Sequence, residues 1–195
     1  ILALTSMSGE GSDESREYRA RALHALGRDE EALDVCRSWL DEAPDSPRAL
    51  WLQTEIEVER EGLEAVRRRF SRLARIPSRP PIYLDIYASL CRRAGVSDAA
   101  VAEYDKLEAR TGDRSVLRKK AFALSKAGRE AEAVPLMEEL LRADPADAYV
   151  HTAYGAACRR MGEAGRPVEF YEKLLADHPD QKRLYGWIKR ALKQS

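Results

Sequence analysis

Five glycines recur along this chain at a nearly constant interval: Gly27, Gly62, Gly95, Gly128 and Gly162 are separated by 35, 33, 33 and 34 residues. A period near 34 constrains the fold more than any other feature, because it implies a stack of similar supersecondary units rather than one globular core. The registration extends beyond glycine. Five residues downstream stand Ala32, Ala100 and Ala133, where two helices must approach closely. Nine downstream stand Cys36, Tyr104, Met137 and Tyr171, all suited to a buried knob. Twelve downstream come Trp39, Ala74, Leu107, Leu140 and Leu174, and seventeen downstream Pro44, Pro145 and Pro179, each beside an Asp. Glycine supplies the left-handed residue that ends a helix, and proline stops the next helix because it lacks an N–H donor.

Upstream of each glycine, apolar residues also recur at helical spacing: Tyr18, Ala22, Leu23 and Leu26; Leu84, Tyr87, Ala88 and Cys91; Leu117, Ala121 and Leu124. Each unit therefore reads as helix, glycine turn, helix, Pro/Asp loop. One helix pair cannot bury both of its apolar faces, so the units must stack. The fold expected is all-α: a right-handed α-solenoid of about ten repeat helices, stacked as helix-turn-helix units, closed by a C-terminal capping helix.

This pattern resembles the tetratricopeptide repeat family over about residues 13–181. The resemblance divides the chain into a flexible tail or leading remnant at 1–12 and repeats at 13–46, 47–80, 81–113, 114–147 and 148–181. Residues 182–195 remain as a capping helix or the start of a sixth repeat. The last two repeats carry the pattern best, with Ala121, Gly128, Ala133 and Pro145, then Tyr154, Gly155, Gly162, Tyr171, Leu174 and Pro179. Repeat 47–80 departs most, with Arg67 and Ser71 in the small and aromatic slots and Phe70 one residue early. In the fifth repeat Pro167 stands in the small slot, which a first helical turn tolerates. Gly112 occupies the place of the third repeat's closing proline.

Composition limits the function classes. The 33 basic and 33 acidic side chains cancel, which speaks against a dedicated nucleic-acid binder. No apolar run reaches the ~18–20 residues needed to cross a bilayer, so no membrane insertion is expected. The chain starts at Ile1, which leaves a preceding segment, extra residues before Met7 or a removed targeting signal open, and the compartment is not readable. Arg outnumbers Lys 25 to 8 and Asn is absent, which points to a GC-rich, bacterial genome. Glu30–Glu31 and Glu138–Glu139 read as solvated outer-face pairs. Cys36, Cys91 and Cys158 are odd in number and far apart, which fits small core residues rather than disulfides or a metal site. His178 reads as loop surface, His24 and His151 as inner-face residues. No phosphate loop, nucleophile elbow or zinc motif is present, so neither catalysis nor a cofactor is expected.

The resemblance implies where a ligand would touch. In this family the first helices of successive repeats line a concave groove through their second, fifth, ninth, twelfth and thirteenth positions. Those positions make Arg92, Arg93, Arg118, Phe122, Lys126, Tyr149, Arg159 and Arg160 the candidate site residues. Across the last three repeats, six basic side chains face one acidic residue, Asp85, an excess of about five positive charges in a neutral chain. Arginine pairs bidentately with carboxylates, so the expected partner is an acidic protein or peptide segment. The competing explanation is that most of these cations lie in last helical turns, where the carbonyl ends favour them. The leading function is a non-catalytic interaction scaffold. Two alternatives stand beside it: a periplasmic repeat segment of a bacterial exopolysaccharide export machine, where polysaccharide would be a partner, and a regulatory domain of a larger enzyme.

Overall fold

A computed structural model describes residues 12–193. Of the tail expected at 1–12 only Ser12 is among them, as the N-cap of the first helix; the rest of it and the last two residues lie outside. The described residues form eleven α-helices and no strand. They divide between Ala94 and Gly95 into two compact units. Unit 1 holds α1 (Asp13–Ala25), α2 (Asp29–Glu42), α3 (Pro47–Glu61), α4 (Leu63–Leu73) and α5 (Ile82–Arg93). Unit 2 holds α6 (Asp98–Thr111), α7 (Arg114–Lys126), α8 (Glu130–Ala143), α9 (Ala148–Arg160), α10 (Arg166–Asp177) and α11 (Arg183–Leu192). Within each unit every helix packs on the next in the chain, α1 also packs on α3, and α7 on α9. The architecture is an all-α helical-repeat solenoid.

Local chemistry sets the helix ends. All five periodic glycines have positive φ, between 71° and 87°. At three of the turns the same bond closes the helix: Arg28 N–H donates to Leu23 O, Arg129 N–H to Leu124 O and Glu163 N–H to Cys158 O, at 2.9–3.0 Å. This six-to-one bond needs a left-handed residue within the turn, which glycine supplies. Helices α1, α3, α7 and α9 begin under side-chain caps instead. Ser12 Oγ accepts from Ser15 N–H at 3.2 Å, Asp113 Oδ1 from Ser115 N–H at 2.8 Å, and Asp147 Oδ1 from Tyr149 and Val150 N–H at 3.0 and 3.1 Å.

The degenerate second repeat has a structural cause. Gly62 alone connects α3 to α4, serving as the C-cap of one and the N-cap of the other with φ 87° and ψ 150°. The shorter connection shifts the register of α4, so Val66 and Phe70 are buried while Arg67 and Ser71 are half-exposed.

Core positions follow the period. Ala32, Ala100 and Ala133 are 0–1% exposed, and Cys36, Met137, Tyr104 and Tyr171 at most 3%. The core of unit 2 runs through Leu124, Val134, Met137, Val150, Tyr154, Phe170, Tyr171 and Leu174. Each such large apolar side chain contributes about 1.5–3 kcal/mol relative to exposure. Leu184 and Ala191 of α11 join this core, with Trp187 and Ile188 half-buried against it. Tyr18 and Leu26, expected on a buried face, are instead 70% and 60% exposed. They lie off the side of α1 that meets α2 and α3. Glu138 also departs from expectation: its side chain is 13% exposed rather than solvated. It accepts from Tyr154 Oη and from Arg166 Nε, both at 2.9 Å, because α9 and α10 close over it.

Candidate functional site

Burial removes the three cysteines and one histidine from candidacy. Cys36, Cys91 and Cys158 are all free and buried. Loss of water pushes the thiols of Cys36 and Cys158 up to about 11, which leaves them protonated and unreactive at neutral pH. His151, expected on the inner face, is 1% exposed. Its Nδ1 lies 3.1 Å from Tyr171 Oη and its Nε2 3.0 Å from Pro145 O, so it is a core residue tying α9 to α10 and to the preceding loop. Among the described residues no group of His, Cys, Asp and Glu is arranged to hold a metal ion. No described helix is long and apolar enough to cross a membrane.

The eight residues singled out from the sequence separate into distinct settings. Arg92 and Arg93 are exposed at the end of α5 in unit 1, where Arg92 Nη2 reaches Ser89 Oγ at 3.4 Å. The rest lie on α7 and α9 of unit 2. Arg118, Phe122 and Tyr149 come together: the Arg118 guanidinium lies 5.9 Å from the Phe122 ring centre and 5.7 Å from that of Tyr149. Tyr149 is 75% exposed. These three line a depression of about 700 Å³ together with Ser115, Lys119, Leu140, Ala143, Asp144 and Asp147. Lys126 is exposed further along α7. Arg159 lines a different cavity, between α9, α10 and α11. Arg160 is held by Glu130 Oε1 at 2.5 Å and Ser125 Oγ at 2.6 Å, which bridges α9 to α7 and α8.

The charge of this face is therefore smaller than a count of repeat positions implies. Arg118 Nη1 lies 3.4 Å from Asp147 Oδ2, and Arg160 is paired with Glu130. Asp147 has two tasks, capping α9 and facing Arg118, and a count of repeat positions leaves it out because it ends the preceding repeat. Trp187 and Arg190 line the same cavity as Arg159, and extending the same repeat positions to 182–195 puts Arg190 at the ninth.

Comparison with known proteins follows this geometry. A family model described as Tetratricopeptide repeat matches residues 28–185. No curated protein matches the chain. Among solved structures, a tetratricopeptide repeat protein of Parabacteroides merdae is similar with a TM-score of 0.53 at 13% identity, over 93% of this chain and 72% of that one. A thermophilic repeat protein of Thermus thermophilus gives 0.53 at 16% identity, over 93% and 99%. YrrB, a repeat protein with an unusual peptide-binding site, gives 0.50 at 14% identity, over 96% and 97%. At these identities the likeness is one of fold, and the family match spans most of the chain: it belongs to the tetratricopeptide repeat family.

Proposed function

We propose that this protein is a non-catalytic scaffold whose unit 2 holds an acidic segment of a partner protein against α7 and α9. Family membership supports the coarser part, since tetratricopeptide repeats are generally non-enzymatic modules that bind proteins or peptides. The finer part rests on one observation: the Arg118 guanidinium lies over both Phe122 and the exposed Tyr149 beside an open depression. Aromatic rings with an arginine between them supply apolar contact area and a fork for carboxylates in one patch. Asp147 already partners Arg118, so a ligand carboxylate would exchange with it or share the fork.

A display library of random peptides selected on the intact chain tests this reading. Selected peptides are expected to be enriched in Asp and Glu, and their affinity to fall as salt rises. Tyr149→Ala and Arg118→Glu are each expected to weaken them while melting stays nearly unchanged, with Arg92 and Arg93 replaced separately in the same assay. Neutral or basic peptides, or affinity indifferent to both changes, would refute the reading.

A further inference from the structure

Two helix faces of this chain expose what the same repeat positions bury elsewhere. In α1, Tyr18, Ala22 and Leu26 fall on one side of the helix, and Tyr18 and Leu26 are 70% and 60% exposed. The sixth and tenth positions of the next two repeats, Leu52 with Ile56 and Ile86 with Leu90, are at most 1% exposed. Leu52 and Ile56 are buried because the preceding repeat lies against them, in one cluster with Ala20, Leu23, Ala32 and Cys36 of α1 and α2. The exposed face of α1 is therefore of the kind that takes a preceding helix.

Helix α11 shows the reciprocal condition. Tyr185, Ile188 and Leu192 share one side; Tyr185 and Leu192 are each 59% exposed and Ile188 is half-buried. The same repeat positions of α9, His151, Tyr154 and Cys158, are at most 1% exposed. There α10 covers them: the Tyr154 ring centre lies 5.2 Å from that of Phe170, and the His151 ring centre 5.2 Å from that of Tyr171. The exposed face of α11 is of the kind that takes a following helix.

Charge distinguishes the two faces. Residues 13–46 hold ten acidic and five basic side chains, a net charge of −5, whereas residues 182–195 hold five basic and no acidic ones. Glu14 precedes Tyr18 by one turn and Lys189 follows Tyr185 by one turn, and both are exposed. Two copies of α11 face to face would set five cations against five, and two copies of the first repeat would oppose two acidic surfaces. Placing α11 on α1 brings opposite charges together. Each helix then supplies what the other lacks: α1 serves α11 as the following helix, and α11 serves α1 as the preceding one.

We propose that the α11 face of one copy of this chain docks on the α1 face of a second copy. The contact is heterologous, so each dimer keeps one open face of each kind and association continues beyond two copies. One helix face against another makes a small interface, so the assembly depends on concentration. It uses neither Arg118 nor Tyr149, and its failure would leave the α7 surface untouched.

Analytical ultracentrifugation of the intact chain, from about 10 µM to about 1 mM, tests this. The mean mass is expected to rise with concentration, and to rise less at about 0.5 M salt than at about 0.05 M. Tyr18→Asp and Tyr185→Asp are each expected to weaken association by about tenfold or more. Both side chains are exposed, so helicity and melting should hardly change. Leu26→Asp repeats the α1 test at the other end of its face. The decisive sample is a mixture of the Tyr18→Asp and Tyr185→Asp proteins. One brings an intact α11 face and the other an intact α1 face, so together they are expected to form a dimer and nothing larger. A native chain that stays monomeric throughout, association that survives either substitution alone, or a mixture that fails to dimerise would overturn the proposal.

Discussion

Two glycines in unit 2 offer a test of the fold in which one chemical change has opposite consequences. Gly128 sits in the α7–α8 turn at φ 76°, and a Cβ built there meets nothing within 4 Å. Crowding therefore adds nothing to the cost of Gly128→Ala. What remains is the left-handed backbone, about 1–2 kcal/mol for a residue with a Cβ. The smaller entropy of the unfolded Ala chain returns about 0.4–1 kcal/mol. The net loss is then about 1 kcal/mol, and Gly128→Asn should lose less because Asn tolerates this conformation. Gly155 lies in the middle of α9, and its added Cβ would have one neighbour, at the ordinary contact distance of 3.8 Å. Gly155→Ala should gain about 0.5–1 kcal/mol, the usual difference between these residues inside a helix.

Thermal melts followed by far-ultraviolet circular dichroism should separate the two proteins on opposite sides of the parent. For a unit near 100 residues, 1 kcal/mol corresponds to about 4–8 °C. Urea titrations should show displaced midpoints with an unchanged slope, the sign that stability changed and compactness did not. Hydrogen exchange at the α8 amides would locate the loss in Gly128→Ala. If Gly128→Ala is neutral or stabilising, the turn is not left-handed and the reading of the glycine period fails. If Gly155→Ala is destabilising, α9 does not run through residue 155 as described.

Three further substitutions probe other parts of the stack. Ala133 is fully buried between helices, so Ala133→Leu should overpack unit 2 by about 1–3 kcal/mol, visible as a lower melting temperature with helicity retained. Pro135 lies inside α8, exposed, where it denies Ala131 O a donor; Pro135→Ala should stabilise by about 1–3 kcal/mol in urea titrations. The two partnered histidines should give pH dependences of opposite sign. Bonds to Asp29 at 2.7 Å and Glu59 at 3.2 Å raise the pKa of His24 above 6.5, so its contribution is present below pH 6.5 and lost as pH rises through the raised value. Burial lowers that of His151, so its contribution is present above pH 6.5 and lost on acidification. Stability measured across pH 5–8 should lose the first dependence in His24→Gln and keep the second.

The fold was legible because each repeat writes its turn and its packing in the same few residues. Only a left-handed residue closes the six-to-one bond after α1, α7 and α9, and only a small side chain fits at Ala32 or Ala133, so chemistry and period coincide. Legibility ended where the period changes length. Gly62 connects α3 to α4 alone, and nothing local announces that the two neighbouring turn residues of other repeats are missing. It ended again at surfaces made by several helices. Glu138 reads as solvated from its own helix and is enclosed only once α9 and α10 are in place. Tyr18 and Leu26 follow the apolar spacing of α1, yet helical spacing alone does not say which side α2 and α3 occupy.

The candidate site was less legible than the fold, because charge on a repeat position is not the charge a ligand meets. Residues about one repeat apart lie side by side in a stack, so each cation must be read against the residue some 30 positions away. The pairs are direct: Arg60 with Glu30 and Arg160 with Glu130, both 30 apart, and Arg129 with Asp98, 31 apart. Arg118 with Asp147, 29 apart, follows the same rule, and that spacing neutralises a residue which looked like the centre of a basic groove. Part of the zero net charge is thus organised as cross-repeat pairing, and part as pairs three or four residues apart on one helix, most of them exposed and each contributing little alone.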